Sequence, residues 1–390
     1  MDRRERLERL KRKQTRILNR MVATFFVVFV VLLSVASLLK PDVEFSEEEN
    51  RILAKAPKIS LQELKSGDFM EGAEDYATDQ FLLRNFWIRV KVRADLLLGK
   101  REFNGVYLGS DKYLIQALSE PDKKNVKENL KAIDTFAKDN EALNVHMMIV
   151  PNAAYILQNR LPLGAPTRDQ SADLKWIREQ LGEEVGFIDV TRALKQHAKE
   201  SIYYKTDHHW TSLGAKIGFE AAAENLGIMD PVTAYDVYTV STDFSGTLAS
   251  VSGYHGAEDV IEVYAPKNME IEYLVTNSDS NEKLPTIYDK SALDRKDQYQ
   301  VFFGGNYALT DIVTANDVDQ RLLIFKDSYA NCFIQFLLPY YNEIVMVDPR
   351  YYYENVQTLI DNKRITDVLF LYNMDTFMTD RSLADVLVTE

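Results

Sequence analysis

Arg321-Leu322-Leu323-Ile324-Phe325-Lys326-Asp327-Ser328-Tyr329 is a short apolar run that stops on a lysine, an aspartate and a serine. Four consecutive large apolar residues bounded by charge read as a buried strand. The residues that follow, Tyr329 to Leu338, have helical spacing. A serine at such a strand-to-helix turn carries its hydroxyl at the carboxyl edge of a sheet. Its backbone N–H then lies at the positive end of the helix, where an oxyanion can be held. The same position also suits a plain N-cap serine, and Asp327 reads as a cap or turn residue. Both readings of Ser328 stay open at this level.

Outward from that stretch the chain alternates strand and helix from about residue 122. Lys124 to Asp139, Ala172 to Leu181, Thr211 to Leu226 and 355–362 read as helices; Val145 to Val150, Val185 to Val190, Glu343 to Val347 and Asp367 to Leu371 read as strands. This rhythm predicts an α/β fold with a mostly parallel sheet covered by helices. The interval 232–300 departs from it, being rich in Tyr, Val, Thr, Ser and Asp, and reads as a β-rich insertion. Upstream, residues 60–97 read as helical, opened by the capping box Ser60-Leu61-Gln62-Glu63. Phe103 to Ile115 carries two short alternating runs around Gly109-Ser110-Asp111-Lys112, a hairpin pattern.

The amino terminus is of another kind. Residues 1–20 hold nine Lys/Arg against three acids, and Met21 to Leu39 then runs without a charge. That is about the length a helix needs to cross a hydrocarbon core. The basic flank places the N-terminus on the cytoplasmic side and the remainder outside. A cleaved signal peptide competes, since Ser34-Val35-Ala36-Ser37 offers small residues, although its apolar region is normally shorter, roughly 7–15 residues. The division expected is a basic tail at 1–20, a single-pass anchor at 21–39, a membrane-proximal region at 40–120 and the α/β domain at 121–390. Within the third of these divisions, Lys40 to about Pro57 reads as an acidic spacer.

The whole chain carries −13, of which residues 1–20 contribute +6 and Lys40 +1, leaving −20 on residues 41–390. So acidic a body argues against nucleic acid as a partner. Cys332 is the one cysteine, which excludes an internal disulfide or a CxxC metal knuckle. It lies in an apolar stretch and reads as a small core residue.

Asp207-His208-His209-Trp210 is the densest proton-handling patch in a chain with five histidines. On an extended segment, positions i and i+2 face the same side, so the Asp207 carboxylate can reach the His209 ring, fix its tautomer and stabilise its charged form. Trp210 can wall the pair off from water, and Thr211 or Ser212 caps the next helix. Converging with Ser328, the pair makes an oriented base beside an activatable hydroxyl. A metal site is not assigned: adjacent histidines on an extended segment face opposite ways, and no HExxH spacing exists. His208 reads as a structural or substrate-facing neighbour. In Phe302-Phe303-Gly304-Gly305-Asn306-Tyr307 the Gly305 N–H or the Asn306 amide can donate to an oxyanion, or the glycines serve a turn with positive φ. Arg350-Tyr351-Tyr352-Tyr353 suits either sugar stacking or ordinary packing. His146 reads as a core residue; His197 and His255 receive no role.

Thr206-Asp207-His208-His209-Trp210-Thr211-Ser212-Leu213-Gly214-Ala215 resembles the signature of the bacterial DHHW proteins, which are similar to the SGNH-hydrolase-like alginate O-acetylation proteins. Glu49-Asn50-Arg51, Asp79-Gln80-Phe81-Leu82-Leu83-Arg84, Asn104-Gly105-Val106-Tyr107-Leu108-Gly109 and Lys326-Asp327-Ser328-Tyr329 agree with the same pattern. The resemblance covers nearly everything after the anchor. It implies an SGNH-like three-layer sandwich and a triad of Ser328, His209 and Asp207, in permuted chain order. Lys326 stands where that group usually has glycine. Asn306 and Gly305 are the oxyanion candidates, with Tyr329, His208 and Trp210 lining the site. The implied activity is transfer of an acetyl group to, or its removal from, a hydroxyl on a cell-envelope or secreted polysaccharide, without organic cofactor or metal. A membrane-bound O-acyltransferase is the implied partner. The alternative is a non-catalytic surface protein that keeps the fold and binds a polysaccharide or an assembly partner.

Overall fold

Side-chain alternation within the strands settles the architecture. In Arg321–Lys326, Leu322 and Ile324 enter one apolar core while Leu323 and Phe325 enter another. Ile344 and Met346 divide from Val345 and Val347 in the same way, as do Leu369 and Leu371 from Val368 and Phe370. Strands apolar on both faces must be covered on both.

The computed structural model describes residues 3–49, 51–278 and 282–388, and the chain divides into two units, 1–98 and 99–390. The first holds α1 (Arg3–Leu39), β1 (Phe45–Ser46), β2 (Arg51–Ile52), α2 (Leu61–Ser66), α3 (Asp68–Asp79) and α4 (Arg84–Leu97). Helix α1 joins the basic tail and the apolar segment in one rod, long and apolar enough to cross a membrane. The helical reading of 60–97 holds in three pieces. Gly67, at φ +93°, ends α2, and Leu83, at φ +57°, opens α4. Ser60 does cap α2, accepting from the Glu63 N–H at 3.1 Å.

Residues 40–57 are not a free spacer. Gln80 accepts from the Val43 N–H at 3.0 Å and donates to the Val43 carbonyl at 2.9 Å; the Asp79 carboxylate takes the Ala54 N–H at 2.9 Å and Arg51 Nη1 at 2.8 Å. Glu49 pairs with Arg84 and, at 2.6 Å, with Arg51. Two of the quoted motifs thus meet in one network; Asn50 lies outside the described residues.

The second unit opens with a three-stranded sheet, β3 (Glu102–Phe103), β4 (Val106–Leu108) and β5 (Leu114–Gln116), whose last two strands are the expected hairpin. Then come α5 (Lys123–Asp139), β6 (Asn144–Val150), α6 (Ala153–Ile156), α7 (Gln170–Gln180), β7 (Val185–Ile188), α8 (Thr191–Gln196) and α9 (Ser212–Ala222). After β8 (Tyr235–Phe244), α10 (Thr247–Ser252) and β9 (Asp259–Pro266) follow β10 (Tyr273–Asn277), β11 (Lys283–Leu284), β12 (Leu309–Thr314), β13 (Arg321–Lys326) and β14 (Glu343–Val347). The chain finishes with α11 (Val356–Lys363), β15 (Asp367–Asn373), α12 (Met374–Thr379) and α13 (Ser382–Leu387).

The central sheet has eight strands in the order β11-β10-β12-β14-β13-β15-β6-β7. From β14 to β7 all pairs are parallel; β11, β10 and β12 extend it antiparallel, so it is mixed rather than mostly parallel. The interval 232–300 is correspondingly not one insertion. Strands β8 and β9 form a separate ribbon, whereas β10 and β11 complete the main sheet. A second correction concerns 329–338, which are not an α-helix but 3-10 turns at Ser328–Ala330 and Ile334–Phe336. Every residue from Tyr329 to Leu338 is buried. With no solvent side, the apolar spacing there carries no helical preference, and Asp327 holds the first turn by accepting from the Tyr329 N–H at 2.9 Å.

Candidate active site

The carboxyl ends of β13, β14, β15 and β6 share one edge of the sheet because those strands are parallel. Ser328 emerges there two residues after β13. The second component comes from the loop between α8 and α9, pinched shut by an antiparallel bridge between Tyr203 and Trp210 and a Tyr204 N–H to His209 carbonyl bond of 3.2 Å. Inside it the backbone is bent, not extended. Asp259 fixes the bend, its carboxylate taking the N–H groups of Lys205 and Thr206 at 2.8 and 2.7 Å and the Thr206 hydroxyl at 2.6 Å.

Asp207, His209 and Ser328 form one hydrogen-bonded chain. The His209 Nδ1–H donates to Asp207 Oδ1 at 2.6 Å, and Nε2 lies 2.7 Å from Ser328 Oγ. With Nδ1 protonated against a carboxylate, Nε2 is left as acceptor for the serine proton. Asp207 and His209 are buried and Ser328 is half-buried. Burial opposes the Asp207 charge. The His208 and His209 rings, the His209 N–H and the Thr247 N–H outweigh it and hold the carboxyl far below the usual range.

Four supporting residues carry no recognisable mark in the sequence. Thr247, first in α10, gives Asp207 Oδ2 its N–H at 2.8 Å and its hydroxyl at 3.0 Å. That hydroxyl therefore accepts from His208 Nδ1, 2.8 Å away. At Gly246 a Cβ would run into the Asp207 side chain. Tyr299 stacks on the His209 ring, centroids 3.9 Å apart and 12° from parallel, while its hydroxyl donates to the Ser328 carbonyl at 2.9 Å. All four of these (Asp259 included) fall in 232–300, so that interval builds the site.

The remaining candidates separate. Trp210 and Tyr329 are fully buried: the indole N–H donates to the Tyr329 carbonyl at 2.9 Å, and the Tyr329 hydroxyl donates to the His208 carbonyl. They hold the two segments together. His208 does not face away from His209; the rings lie 3.9 Å apart, and Asp207, His208 and His209 bring ligand-type atoms within 4.8 Å of one another. The bent loop overturns the geometric reason given for opposed histidines. These three are the residues that could hold a cation, though His209 and Asp207 are engaged with each other and with Ser328.

Lys326 is buried beneath the turn. Its Nζ donates to Asn306 Oδ1 at 2.9 Å and Asn331 Oδ1 at 3.0 Å, with Asp348 Oδ2 at 3.8 Å. Asn331 Nδ2 also donates to Asn306 Oδ1, at 3.2 Å. Burial outweighs the Asp348 charge and pushes the amine down to about 8. Asn306 thus joins the residues flanking Ser328. Its loop contains positive φ at Phe303 (+71°), Gly304 (+78°) and Gly305 (+149°), so the glycines do serve a turn. Asp327 is a cap, accepting also from the Asn373 N–H at 2.9 Å. Arg350 grips Asp348 at 2.8 and 2.6 Å; Tyr352 is buried while Tyr351 and Tyr353 are exposed. Cys332 is buried, its thiol pushed up to about 12 by burial. His146 is half-buried opposite Gly186, and His197 meets Glu200 at 2.6 Å on the surface.

Among solved structures the chain is similar to a DHHW family protein from Eubacterium siraeum, at TM-score 0.63 and 24% identity, over 73% of this chain and 95% of that one. It is similar to Bacillus cereus PatB1, solved with a sulfonyl adduct, at TM-score 0.61 and 21% identity, over 71% and 97%. The O-acetyltransferase domain of Pseudomonas putida AlgJ is matched at TM-score 0.47 and 16% identity, over 73% and 99%. No curated protein matches by sequence. The DHHW protein family model matches residues 140–347, more than half of the chain and the whole span from β6 to β14, and the protein therefore belongs to the DHHW family.

Proposed function

We propose that the protein is a membrane-anchored, extracytoplasmic O-acetyltransferase or acetylesterase that acts on hydroxyls of a cell-envelope or secreted polysaccharide. The observation that carries this reading is the hydrogen-bonded chain Asp207–His209–Ser328, with Nε2 2.7 Å from the serine oxygen. Ser328 Oγ attacks the acyl carbonyl carbon as His209 Nε2 takes its proton. Asp207 stabilises the resulting imidazolium. The tetrahedral intermediate collapses as the leaving alkoxide takes the proton from His209, leaving an acyl-serine. A sugar hydroxyl entering next gives transfer, and water gives hydrolysis.

The oxyanion needs donors in place before charge develops. Among the described residues nothing accepts from the Ser328 N–H. Asn306, its carbonyl oxygen taken by Lys326 and Asn331, has its NH2 left to donate. These two are the assigned oxyanion donors. An integral membrane O-acyltransferase delivering the acyl group is the partner this chemistry calls for.

Ser328→Ala should remove turnover of a chromogenic acetyl ester while the melting temperature stays near wild type; unchanged turnover would discard the triad. A sulfonyl fluoride, chosen because PatB1 was solved with a sulfonyl adduct, should label Ser328 alone by mass spectrometry. Adding oligosaccharide acceptors to the ester assay separates transferase from esterase by the fate of the acetyl group. A folded protein with no esterase activity in any of these assays would instead be a binding module.

A further inference from the structure

Helix α4 is apolar on two opposite sides. Val92 is buried, with Ile88 and Leu96 half-buried beside it. The opposite side is exposed: Leu83 by 62%, Phe86 by 48%, Val90 by 40% and Leu97 by 89%. These positions recur at helical spacing, so they form one stripe. At 100° per residue, Arg89 and Arg93 fall along one border of the stripe and Arg84 and Lys91 along the other. The helix carries four basic residues against Asp95. Arg84 is held by Glu49, whereas Arg89 to Glu48 and Lys91 to Asp95 are loose surface pairs of 3.6 Å. An apolar stripe bordered by cations is the pattern of a helix lying in a bilayer surface.

Position favours the same occupant. The turn that opens α4 is tied to the end of the apolar helix: the Leu82 N–H donates to Ser37 Oγ at 2.9 Å, and Lys40 Nζ donates to Gln80 Oε1 at 3.1 Å. The stripe thus begins within a turn of Leu39, where α1 would leave a membrane. Beside it, Phe81, Trp87 and Ile88 line an open cleft of about 440 Å³ bordered by Arg84 and Lys91. The Trp87 indole N–H is buried there without an acceptor among the described residues. A lipid headgroup or ester carbonyl supplies the missing acceptor, and tryptophan is enriched at that depth.

We propose that α4 lies in the headgroup layer of the bilayer crossed by α1, its stripe facing the acyl boundary and Arg89, Lys91 and Arg93 on anionic phosphates. This rests on α1 spanning a membrane and not on the chemistry of Ser328.

The test uses the full chain in vesicles of phosphatidylethanolamine and phosphatidylglycerol. Phe86→Cys, Val90→Cys and Leu97→Cys each carry a fluorescent label, with the exposed Lys131→Cys as reference; Cys332 is buried. Circular dichroism checks each variant's fold, and the three stripe positions guard against one failing. The stripe labels should be quenched several-fold more than the reference by a nitroxide at headgroup depth, and several-fold less by aqueous iodide. Phosphatidylcholine in place of phosphatidylglycerol should weaken the lipid quenching. Stripe labels as open to iodide as Lys131→Cys would overturn the proposal by showing a bare face. Labels shielded from both quenchers would overturn it too, by showing that protein, a second copy or another chain, covers the stripe.

Discussion

Lys326 ends the apolar strand just before Ser328, and its buried contacts give the charge a use. By donating to Asn306 Oδ1 it fixes which end of the amide faces outward. Asn306→Ala should lower kcat by roughly 10²–10³ with little change in KM, the usual effect of losing one oxyanion donor. If Lys326 acts through Asn306, Lys326→Met should have a comparable effect and the double variant should be no worse than either. Multiplying effects would show instead that Lys326 acts alone. His208 supplies a pH prediction. Burial, and next the neighbouring His209, push its imidazole down to about 4, below the roughly 6.5 of an unfolded chain. Between those values the unfolded chain binds more protons, so this contribution is complete above about pH 6.5 and is lost as pH falls toward 4. The melting temperature should therefore drop over that window, and His208→Gln should flatten the slope. Asp207, whose carboxyl is depressed, adds stability that is lost only at lower pH.

Among the elements, those with strong periodicity were legible: α5, α7, α9, β6, β7, β13, β14, β15 and the β4–β5 hairpin all lie where apolar spacing places them. Segments buried on every side were not, because a chain without a polar face has no period to read; 329–338 is the instance. The junction of β8 with α10 was equally silent, yet it delivers Gly246 and Thr247 to Asp207. Gly246→Ala should force that carboxylate aside and cut ester turnover by about 10²-fold, as a displacement near 1 Å can. The circular dichroism spectrum should stay unchanged, and wild-type activity in this variant would mean that Asp207 need not sit where it does.

The molecule as a whole couples an apolar helix and its attached helices to an acidic α/β body. If α1 is an uncleaved anchor with its basic end inside, a cysteine at Lys131 should react with an impermeant maleimide in intact cells, and one at Lys13 only after lysis. The full chain should also stay with membranes through carbonate extraction. Composition and spacing alone were enough to give the helix long enough to span a bilayer, the α/β class, the strand that delivers Ser328, and the Asp207–His209 pair. Each of these depends on neighbours in the chain, where periodicity and charge act locally. The edge strands β10 and β11, the bend that sets His208 beside His209, the Tyr299 clamp and the Lys326–Asn306–Asn331 cluster emerged only on folding. The bend is fixed by Asp259, 53 residues from Thr206, and His209 and Ser328 are 119 residues apart. Packing on both faces of one sheet, a property of the assembled core and of no single segment, is what brings them within hydrogen-bond reach.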